Sequence, residues 1–416
     1  MASVVDIPPR NRIEALTSLR FFLAFWIFAH HLYPSWFTKL GSYICGYTES
    51  LFMLGYMAVP FFFILSGFSI YYGYNTVSIA NKTDTINFYL RRLSRLVPFF
   101  YISMIVGAVP YFGYRLKFES LTSHMIVGAV RHFLRNTLFI TSYASDALRY
   151  NYSGWSVIVE VFLYLCFPLL SYFLLKMKSK QIYVVAVGLY LLQTVFNIFI
   201  CHKNPELLQF RSNTYIFHFS SAAAEYWRYG LLYHPLAHFH EFLLGIALAH
   251  FTMIHVKSTK MIAMTDSLLA LNILAFAVLF YFSPQIPYPY MFSWAGIPLM
   301  LTMIYAIAYG EGRICNFLRK PLLVRLGESS YVFYILHTPA RNWMSFFMGR
   351  MHIRGAVGEV VVGLLFIPAY IFVCLWLQEK FERKMRENLY HFLLRFLPKK
   401  ASTAIYPNVG EVRIQA

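Results

Sequence analysis

The stretch LRFFLAFWIFAHHLYPSWF at residues 19–37 is almost entirely apolar, yet it has an arginine at its start and two adjacent histidines near its far end. A run of this length can cross the hydrocarbon core of a bilayer, which is about 30 Å thick. Charged side chains at the centre of such a run cost about 2.5–3.5 kcal/mol each on insertion scales, so ionisable residues there are candidates for function. Arg20, His30 and His31 therefore need an explanation.

The composition places the rest of the chain in a membrane as well. Of its 416 residues, 58% are hydrophobic and only 13% are charged, whereas soluble domains contain about 25% charged residues. The formal net charge of +18 would point to nucleic acid in a soluble protein. Basic loops that orient a membrane protein explain this charge here, so we expect no nucleic-acid partner.

Further apolar runs of similar length predict an all-α polytopic membrane protein with about ten transmembrane helices. The first dozen residues are polar and no cleavage pattern follows them, so we expect the first segment to be retained. The predicted spans lie near 19–37, 51–73, 96–113, 156–175, 181–201, 235–254, 263–283, 289–309, 329–349 and 356–377.

Basic residues predict the orientation of these spans. With the N-terminus in the cytoplasm, every inner loop is basic, as in KMKSK at 176–180. The exception is the basic outer segment 115–154, whose part 124–140 has the pattern of an amphipathic surface helix. We expect both termini in the cytoplasm, a single membrane domain at residues 1–382, and a short cytoplasmic tail at 383–416.

Arg20 and His31 share one face of the first span. The 11 residues between them amount to three helical turns plus about 20°, and separate them by about 16 Å along the axis. His30 points about 80° away from Arg20. The pair has the geometry of the two ends of a path through the protein, although simple contact with the headgroups at each interface explains it about as well.

Two further regions carry polar residues at helical spacing. Arg92 and Arg95 share a face just before the third span, where they are suited to gripping phosphates or to setting topology. Glu160 and Tyr164 are four residues apart inside an apolar run, and a buried glutamate needs a partner such as a histidine.

The ninth predicted span carries a polar stripe. Its residues follow i, i+4, i+7 spacing, which places three polar side chains on one helix face: Ser330, Tyr334 and His337. Such a stripe can also join two helices by hydrogen bonds.

With these residues in place, the chain resembles the acyltransferase 3 family of integral-membrane O-acyltransferases that modify carbohydrates. Pro60 and the stretch ALTSLRFF at 15–22 depart from the family pattern. The matching motifs occur in order between about residues 13 and 382: R-x₁₀-H at Arg20 and His31, R-x-x-R at Arg92 and Arg95, FFFILSGF at 61–68, W-S-x₃-E-x₃-Y at Trp155, Ser156, Glu160 and Tyr164, FLLGIALA at 242–249, and S-Y-x-x-Y-x-x-H at Ser330, Tyr331, Tyr334 and His337.

The resemblance implies transfer of an acyl group, most often acetyl, from cytoplasmic acyl-CoA to a hydroxyl of a cell-surface or exported carbohydrate, lipid-linked forms included. It implies a multi-pass protein of the plasma membrane, the inner membrane in a bacterium, embedded in lipid. No metal cofactor is implied. Some relatives carry an esterase-like C-terminal domain that this sequence lacks, so we expect a one-component enzyme.

We assign roles to the matched residues on the same basis. His31 is the expected general base, because an imidazole titrates near pH 6.5. Glu160 is expected to orient that imidazole. Arg20, at the mouth of the path, is counted with these two as catalytic and is also expected to join Arg92 and Arg95 in binding the phosphates of CoA. Seven residues are expected to line the substrate pocket: Trp155, Ser156, Tyr164, Ser330, Tyr331, Tyr334 and His337.

Other readings of the sequence remain open. A transporter or flippase could use the same Arg, Glu and His side chains as a relay, although no inverted repeat is visible. A non-catalytic scaffold or sensor would tolerate replacement of Arg20 and His31. Zinc binding by His234, His238 and His240 has plausible spacing, but solvated interfacial histidines are commoner. A serine nucleophile is disfavoured, since no G-x-S-x-G elbow is present.

Overall fold

The computed structural model describes residues 13–36, 51–74, 82–118, 122–140, 142, 151–209, 221–255, 259–287, 290–353 and 356–396. Within these ranges the chain is helical and contains no β-strand, which confirms the predicted all-α class. The helices are α1 (Glu14–Trp36), α2 (Ala58–Tyr74), α3 (Lys82–Phe118), α4 (Ser123–Thr137), α5 (Gly154–Leu174), α6 (Ser179–Lys203), α7 (Glu206–Gln209), α8 (Ala222–Leu232), α9 (Phe239–Ile254), α10 (Thr259–Ala263), α11 (Thr265–Phe282), α12 (Ile297–Tyr309), α13 (Arg313–Leu318), α14 (Pro321–Arg350), α15 (Ala356–Leu377) and α16 (Arg383–Leu394).

Several helices can cross a membrane, so the chain is a multi-pass membrane protein. In the described part of the chain, eight helical segments are long and apolar enough: Glu14–Leu32, Leu51–Tyr74, Lys82–Gly113, Gly154–Leu174, Ser179–Lys203, Pro235–Ile254, Thr265–Phe282 and Val360–Leu394.

These segments coincide with eight of the ten predicted spans. Of the other two, 289–309 contains the shorter apolar helix α12, and 329–349 lies within the 30-residue α14. Helix α14 contains charged residues such as Arg325 and Arg341, which lower its mean hydropathy.

One predicted helix is longer in the structure than expected, and another is confirmed. Helix α3 runs for 37 residues from Lys82 to Phe118, so Arg92 and Arg95 lie inside a helix rather than in a loop before it. The predicted amphipathic helix is confirmed as α4. Its apolar residues Val127 and Leu134 are exposed, while His132 is buried against the protein.

Helices α2 and α9 cross so closely that their backbones touch. A Cβ atom added to Gly67 would lie 2.0 Å from the carbonyl oxygen of Phe242, and one added to Gly245 would lie 2.0 Å from that of Ile64. Only glycine permits such an approach. The two glycines belong to the FFFILSGF and FLLGIALA motifs, so these motifs meet at one crossing.

Helices α1 and α14 form a second close pair. A Cβ atom on Gly327 would lie 2.1 Å from the carbonyl oxygen of Thr17. Further along the same interface, the rings of Phe28 and Phe333 pack edge to face with centroids 5.2 Å apart. This packing fixes α14, and every polar side chain on its stripe, relative to α1.

Residues beyond 382 begin as a helix rather than as an extended charged tail. A wide helical turn at Gln378–Glu382 leads from α15 into α16. The hydroxyl of Tyr390 donates to Asn87 Oδ1 at 2.6 Å, and the Arg91 guanidinium lies over the Tyr390 ring. Helix α16 is therefore tied to the start of α3, near Arg92 and Arg95.

Candidate active site

A cavity of about 90 Å³ lies between α1, α2, α3, α5 and α14. Polar side chains from five of the sequence motifs meet there although these motifs are far apart in the chain. The lining includes Arg20, Ser66, Ser69, Arg92, Arg95, Ser156, Glu160, Tyr164, Ser330, Tyr331 and Tyr334. Most of the predicted site residues are thus brought together in one place.

The cavity is rich in positive charge. Its lining contains the guanidinium groups of Arg20, Arg92 and Arg95 and the carboxylate of Glu160. Arg20 donates a hydrogen bond to Ser69 Oγ at 2.7 Å, and no ion pair joins its guanidinium to a carboxylate among the described residues. Partly buried positive charges that outnumber carboxylates favour an anionic ligand.

Arg92 is held by aromatic rings. Its guanidinium lies 5.2 Å from the ring centroid of Tyr74, 5.6 Å from that of Phe88 and 5.5 Å from that of Tyr164. The buried Nε atom of Arg92 has no hydrogen-bond partner among the described residues. Arg92 and Arg95 are both half-buried where they line the cavity.

Glu160 bonds within its own helix and to α2. Tyr164 Oη donates to Glu160 Oε1, and Ser66 Oγ donates to the same oxygen at 3.4 Å. No hydrogen bond joins Glu160 to His31 in the described part of the chain. The predicted Glu160–His31 pair is therefore wrong: Glu160 lies at the cavity with the arginines, while His31 bonds to a different helix.

A series of hydrogen bonds leads from the cavity toward His31, at the other end of α1. The hydroxyls of Ser156 and Tyr334 lie 2.7 Å apart, and Ser156 also donates to the carbonyl oxygen of Ser153 at 3.1 Å. On the next turn of α14, Nε2 of His337 faces Ser153 Oγ at 3.2 Å. Hydrogen bonds thus follow the interface of α5 and α14 away from Arg20.

His31 and His337 form a pair at the far end of this interface. Nδ1 of His31 lies 2.9 Å from Nε2 of His337, and the two ring centroids are 4.9 Å apart. His337 is only 1% exposed, whereas His31 is half-buried. The backbone at His31 is held by Arg341, whose Nη1 donates to the His31 carbonyl oxygen at 2.9 Å.

Asn151 connects the start of α5 to α14, and sequence analysis missed it. Pro339 lacks an N–H group, so the carbonyl oxygen of Ile335 has no helical donor four residues later. Asn151 Nδ2 donates to that oxygen at 2.8 Å, and Asn151 Oδ1 accepts the backbone N–H of Ser153 at 3.1 Å. A proline inside a polar helical stripe was the signal that could have revealed this contact.

Two predicted pocket residues lie outside the cavity. Trp155 is 6% exposed and packs edge to face on Tyr233 with centroids 5.0 Å apart, so it belongs to the core rather than to an outer loop. His337 contacts His31 instead of the cavity. The other five, Ser156, Tyr164, Ser330, Tyr331 and Tyr334, line the cavity.

Two of the three histidines with metal-like spacing form other hydrogen bonds. Nδ1 of His238 lies 3.0 Å from Glu241 Oε2, and its Nε2 lies 3.0 Å from the carbonyl oxygen of Leu232. His234 accepts from the backbone N–H of Leu236. Among the described residues, no group of three or more His, Cys, Asp or Glu side chains is arranged to hold a metal ion.

The helices and their cationic cavity define a multi-pass membrane protein, and comparison with known proteins gives the family. The chain belongs to the acyltransferase 3 family, whose profile, described as an acyltransferase domain, matches residues 13–379. It is an acyltransferase that transfers a group other than an aminoacyl group.

Two relatives illustrate the similarity. The acyltransferase MdmB of Streptomyces mycarofaciens is 25% identical over 339 residues, which cover 80% of each chain. The O-acetyltransferase OatA of Staphylococcus aureus is 24% identical over 425 residues, which cover 94% of this chain but only 60% of OatA. No solved structure matches the chain significantly.

Proposed function

We propose that this protein transfers an acyl group, acetyl in the simplest case, from cytoplasmic acyl-CoA to a hydroxyl group of a cell-surface or exported carbohydrate, including lipid-linked forms. The observation that carries the proposal is the polar interface described above. It has a cationic cavity at the Arg20 end of α1 and a histidine at the His31 end of the same helix.

The donor is assigned to the cationic cavity. The phosphates of CoA are polyanionic, and guanidinium groups bind phosphate oxygens through paired N–H donors. Arg95 and Arg92 provide such donors, and Arg20 extends the positive charge toward α1. Ser330, Tyr331 and Tyr334 would then lie along the thioester arm as it points to His31.

The acceptor is assigned to the His31 end. In the proposed step, the acceptor hydroxyl oxygen attacks the thioester carbon while His31 takes the hydroxyl proton. The bond between the acyl carbon and sulfur breaks, and CoA leaves as the thiolate. Glu160, hydrogen-bonded to Tyr164, keeps a role near the donor, where its charge offsets part of the arginine cluster.

The orientation follows from the basic loops. We propose that both termini are cytoplasmic, that the Arg20 end faces the cytoplasm, and that the protein is a multi-pass component of the plasma membrane, the inner membrane in a bacterium. Residues 1–382 form the membrane acyltransferase domain and 383–416 the cytoplasmic end.

The loop at 38–50, proposed to be outside, lies beyond the described residues. Cysteines introduced there should react with an impermeant maleimide in intact cells, and cysteines in the C-terminal tail should not.

The direct test uses the purified protein in detergent with radiolabelled acetyl-CoA. We expect consumption of the thioester that depends on added carbohydrate, together with acylated product identified by mass spectrometry. Glycans from cells with and without the gene identify the natural acceptor. A transporter would neither hydrolyse nor transfer the acyl group, and that result would contradict the proposal.

A further inference from the structure

We propose that His337 is a positioning residue that fixes the tautomer of His31, so that Nε2 of His31 presents a free electron pair to the acceptor. This inference rests on the proposed function and assigns to an imidazole the orienting role that a carboxylate fills in many hydrolases. It starts from the pattern of hydrogen bonds around the two rings.

The first step concerns His337 itself. Nδ1 of His337 faces the carbonyl oxygen of Tyr334 within the same helix. A carbonyl oxygen only accepts hydrogen bonds, so Nδ1 carries the proton. In a neutral imidazole the other nitrogen is then an acceptor, which makes Nε2 of His337 a hydrogen-bond acceptor.

The second step passes this constraint to His31. Nδ1 of His31 lies 2.9 Å from the acceptor Nε2 of His337. Two neutral imidazoles form a hydrogen bond only if one of the facing nitrogens carries a proton, so Nδ1 of His31 is the donor. Nε2 of His31 is therefore the unprotonated nitrogen of its ring.

The neighbouring hydroxyls are compatible with this assignment. Ser153 Oγ and Thr338 Oγ1 lie 3.2 and 3.4 Å from Nε2 of His337, but they lie only 2.6 Å from each other. One of these hydroxyls donates to the other, so at most one of them can also donate to Nε2 of His337, and the 2.9 Å contact with His31 is the shortest of the three at that nitrogen. Enclosed by these groups and 1% exposed, His337 is poorly placed to meet a substrate, whereas the half-buried His31 is accessible.

Helix packing holds the pair in register. Asn151 ties the start of α5 to the Ile335 carbonyl of α14, and Arg341 binds the carbonyl oxygen of His31. Both rings thus sit on backbones that are fixed across helix interfaces. A base whose ring is held in one orientation spends less of its time in unproductive states, which is the usual benefit of an orienting partner.

The test compares His337→Gln with His337→Asn. The amide oxygen of glutamine can reach the position of Nε2, whereas that of asparagine reaches only the position of Nδ1. We expect His337→Gln to keep kcat within about tenfold of the wild type and His337→Asn to lose roughly a hundredfold or more, with the KM for acetyl-CoA unchanged in both. A purely structural role would affect the two polar variants alike.

A second measurement uses the unmodified protein. Diethyl pyrocarbonate acylates unprotonated, accessible imidazole nitrogens, so loss of transfer activity should follow modification of the peptide that contains His31, while the peptide with His337 stays protected. Earlier modification of His337 would overturn the inference, as would equal activity of the glutamine and asparagine variants.

The two proposals fail in different ways. If His31→Ala retains full activity, the proposed base is wrong and the inference falls with it. If His31→Ala is inactive while His337→Asn is fully active, only the positioning role of His337 is refuted.

Discussion

His30 and His31 are adjacent on α1, yet they bind to different parts of the protein. Nδ1 of His30 lies 2.9 Å from the carbonyl oxygen of Phe52, whereas Nδ1 of His31 lies 2.9 Å from His337 on α14. His30 is only 4% exposed. One histidine thus supports the packing next to α2, and the other reaches the proposed reaction path.

This difference predicts opposite effects of substitution. His31→Ala should lower acyl transfer by about a hundredfold or more with little loss of folded protein, because a base is removed and no charge is left buried. His30→Asn keeps a donor near Phe52 and should retain most activity with a lowered melting temperature. Activity per folded protein, measured by size-exclusion chromatography and acetyl-CoA turnover, separates the two. Equal losses in both variants would contradict a special role for His31.

Arg95→Gln should weaken binding of acyl-CoA. Loss of a charged hydrogen bond costs about 1.5–3 kcal/mol, which corresponds to a rise in KM of roughly ten- to a hundredfold. The matched control is Arg91→Gln, because Arg91 is exposed, bonds to Asn87 and does not line the cavity. An unchanged KM in Arg95→Gln, or the same increase in Arg91→Gln, would leave these arginines as topology signals.

Arg92→Ala should behave differently from the substitution at Arg95. Its guanidinium packs against Tyr74, Phe88 and Tyr164, and cation–π contacts contribute about 0.5–2 kcal/mol each. We therefore expect a loss of both acyl-CoA binding and thermal stability. A thermal-shift assay on the purified variant measures the second effect, and an unaltered melting temperature would show that the aromatic cage is energetically unimportant.

Gly67→Ala should disrupt the crossing of α2 and α9. The new methyl group would lie 2.0 Å from the Phe242 carbonyl oxygen, so the helices must separate at a cost of about 1–3 kcal/mol or more. Gly73→Ala is the control on the same helix, since nothing lies within 4 Å of a Cβ atom there. Membrane abundance and melting temperature should fall for the first variant only.

Asn151→Ala should destabilise the junction of α5 and α14 by about 1–3 kcal/mol, because the Ile335 carbonyl is left without a donor. Pro339→Ala supplies a backbone N–H to that carbonyl. In the double variant, the cost of removing Asn151 should therefore be smaller than in the wild-type background. Additive effects in this double-mutant cycle, followed by thermal unfolding, would show that the two residues do not share the Ile335 oxygen.

The sequence was sufficient to find most of the helices and the residues of the cavity. Long apolar runs identify the spans, and helical spacing identifies the faces that carry Arg95, Glu160 and Tyr334. Residue spacing shows which face of a helix a side chain occupies. It does not show which residue of a neighbouring helix lies opposite that side chain. This is why Glu160 was paired with His31, although Glu160 lies seven residues beyond Ser153, or about 10 Å along α5.

Other features depended on contacts between distant segments. Asn151 and Ser153 precede α5 in a non-helical stretch, where no periodicity shows which way a side chain points. Likewise, the burial of Trp155 follows from its packing on Tyr233, which no local pattern specifies.

One uninterrupted helix, α14, carries both Tyr334 at the cavity and His337 at His31. Their separation is therefore set by residue count alone, and inserting a single residue between them would rotate His337 by about 100° and shift it by about 1.5 Å. Side chains can be exchanged and loops lengthened around this enzyme. A residue added or deleted in that interval, however, would move the His31–His337 pair out of register with the cavity. Relatives that keep the chemistry should keep this distance in sequence even where little else is shared.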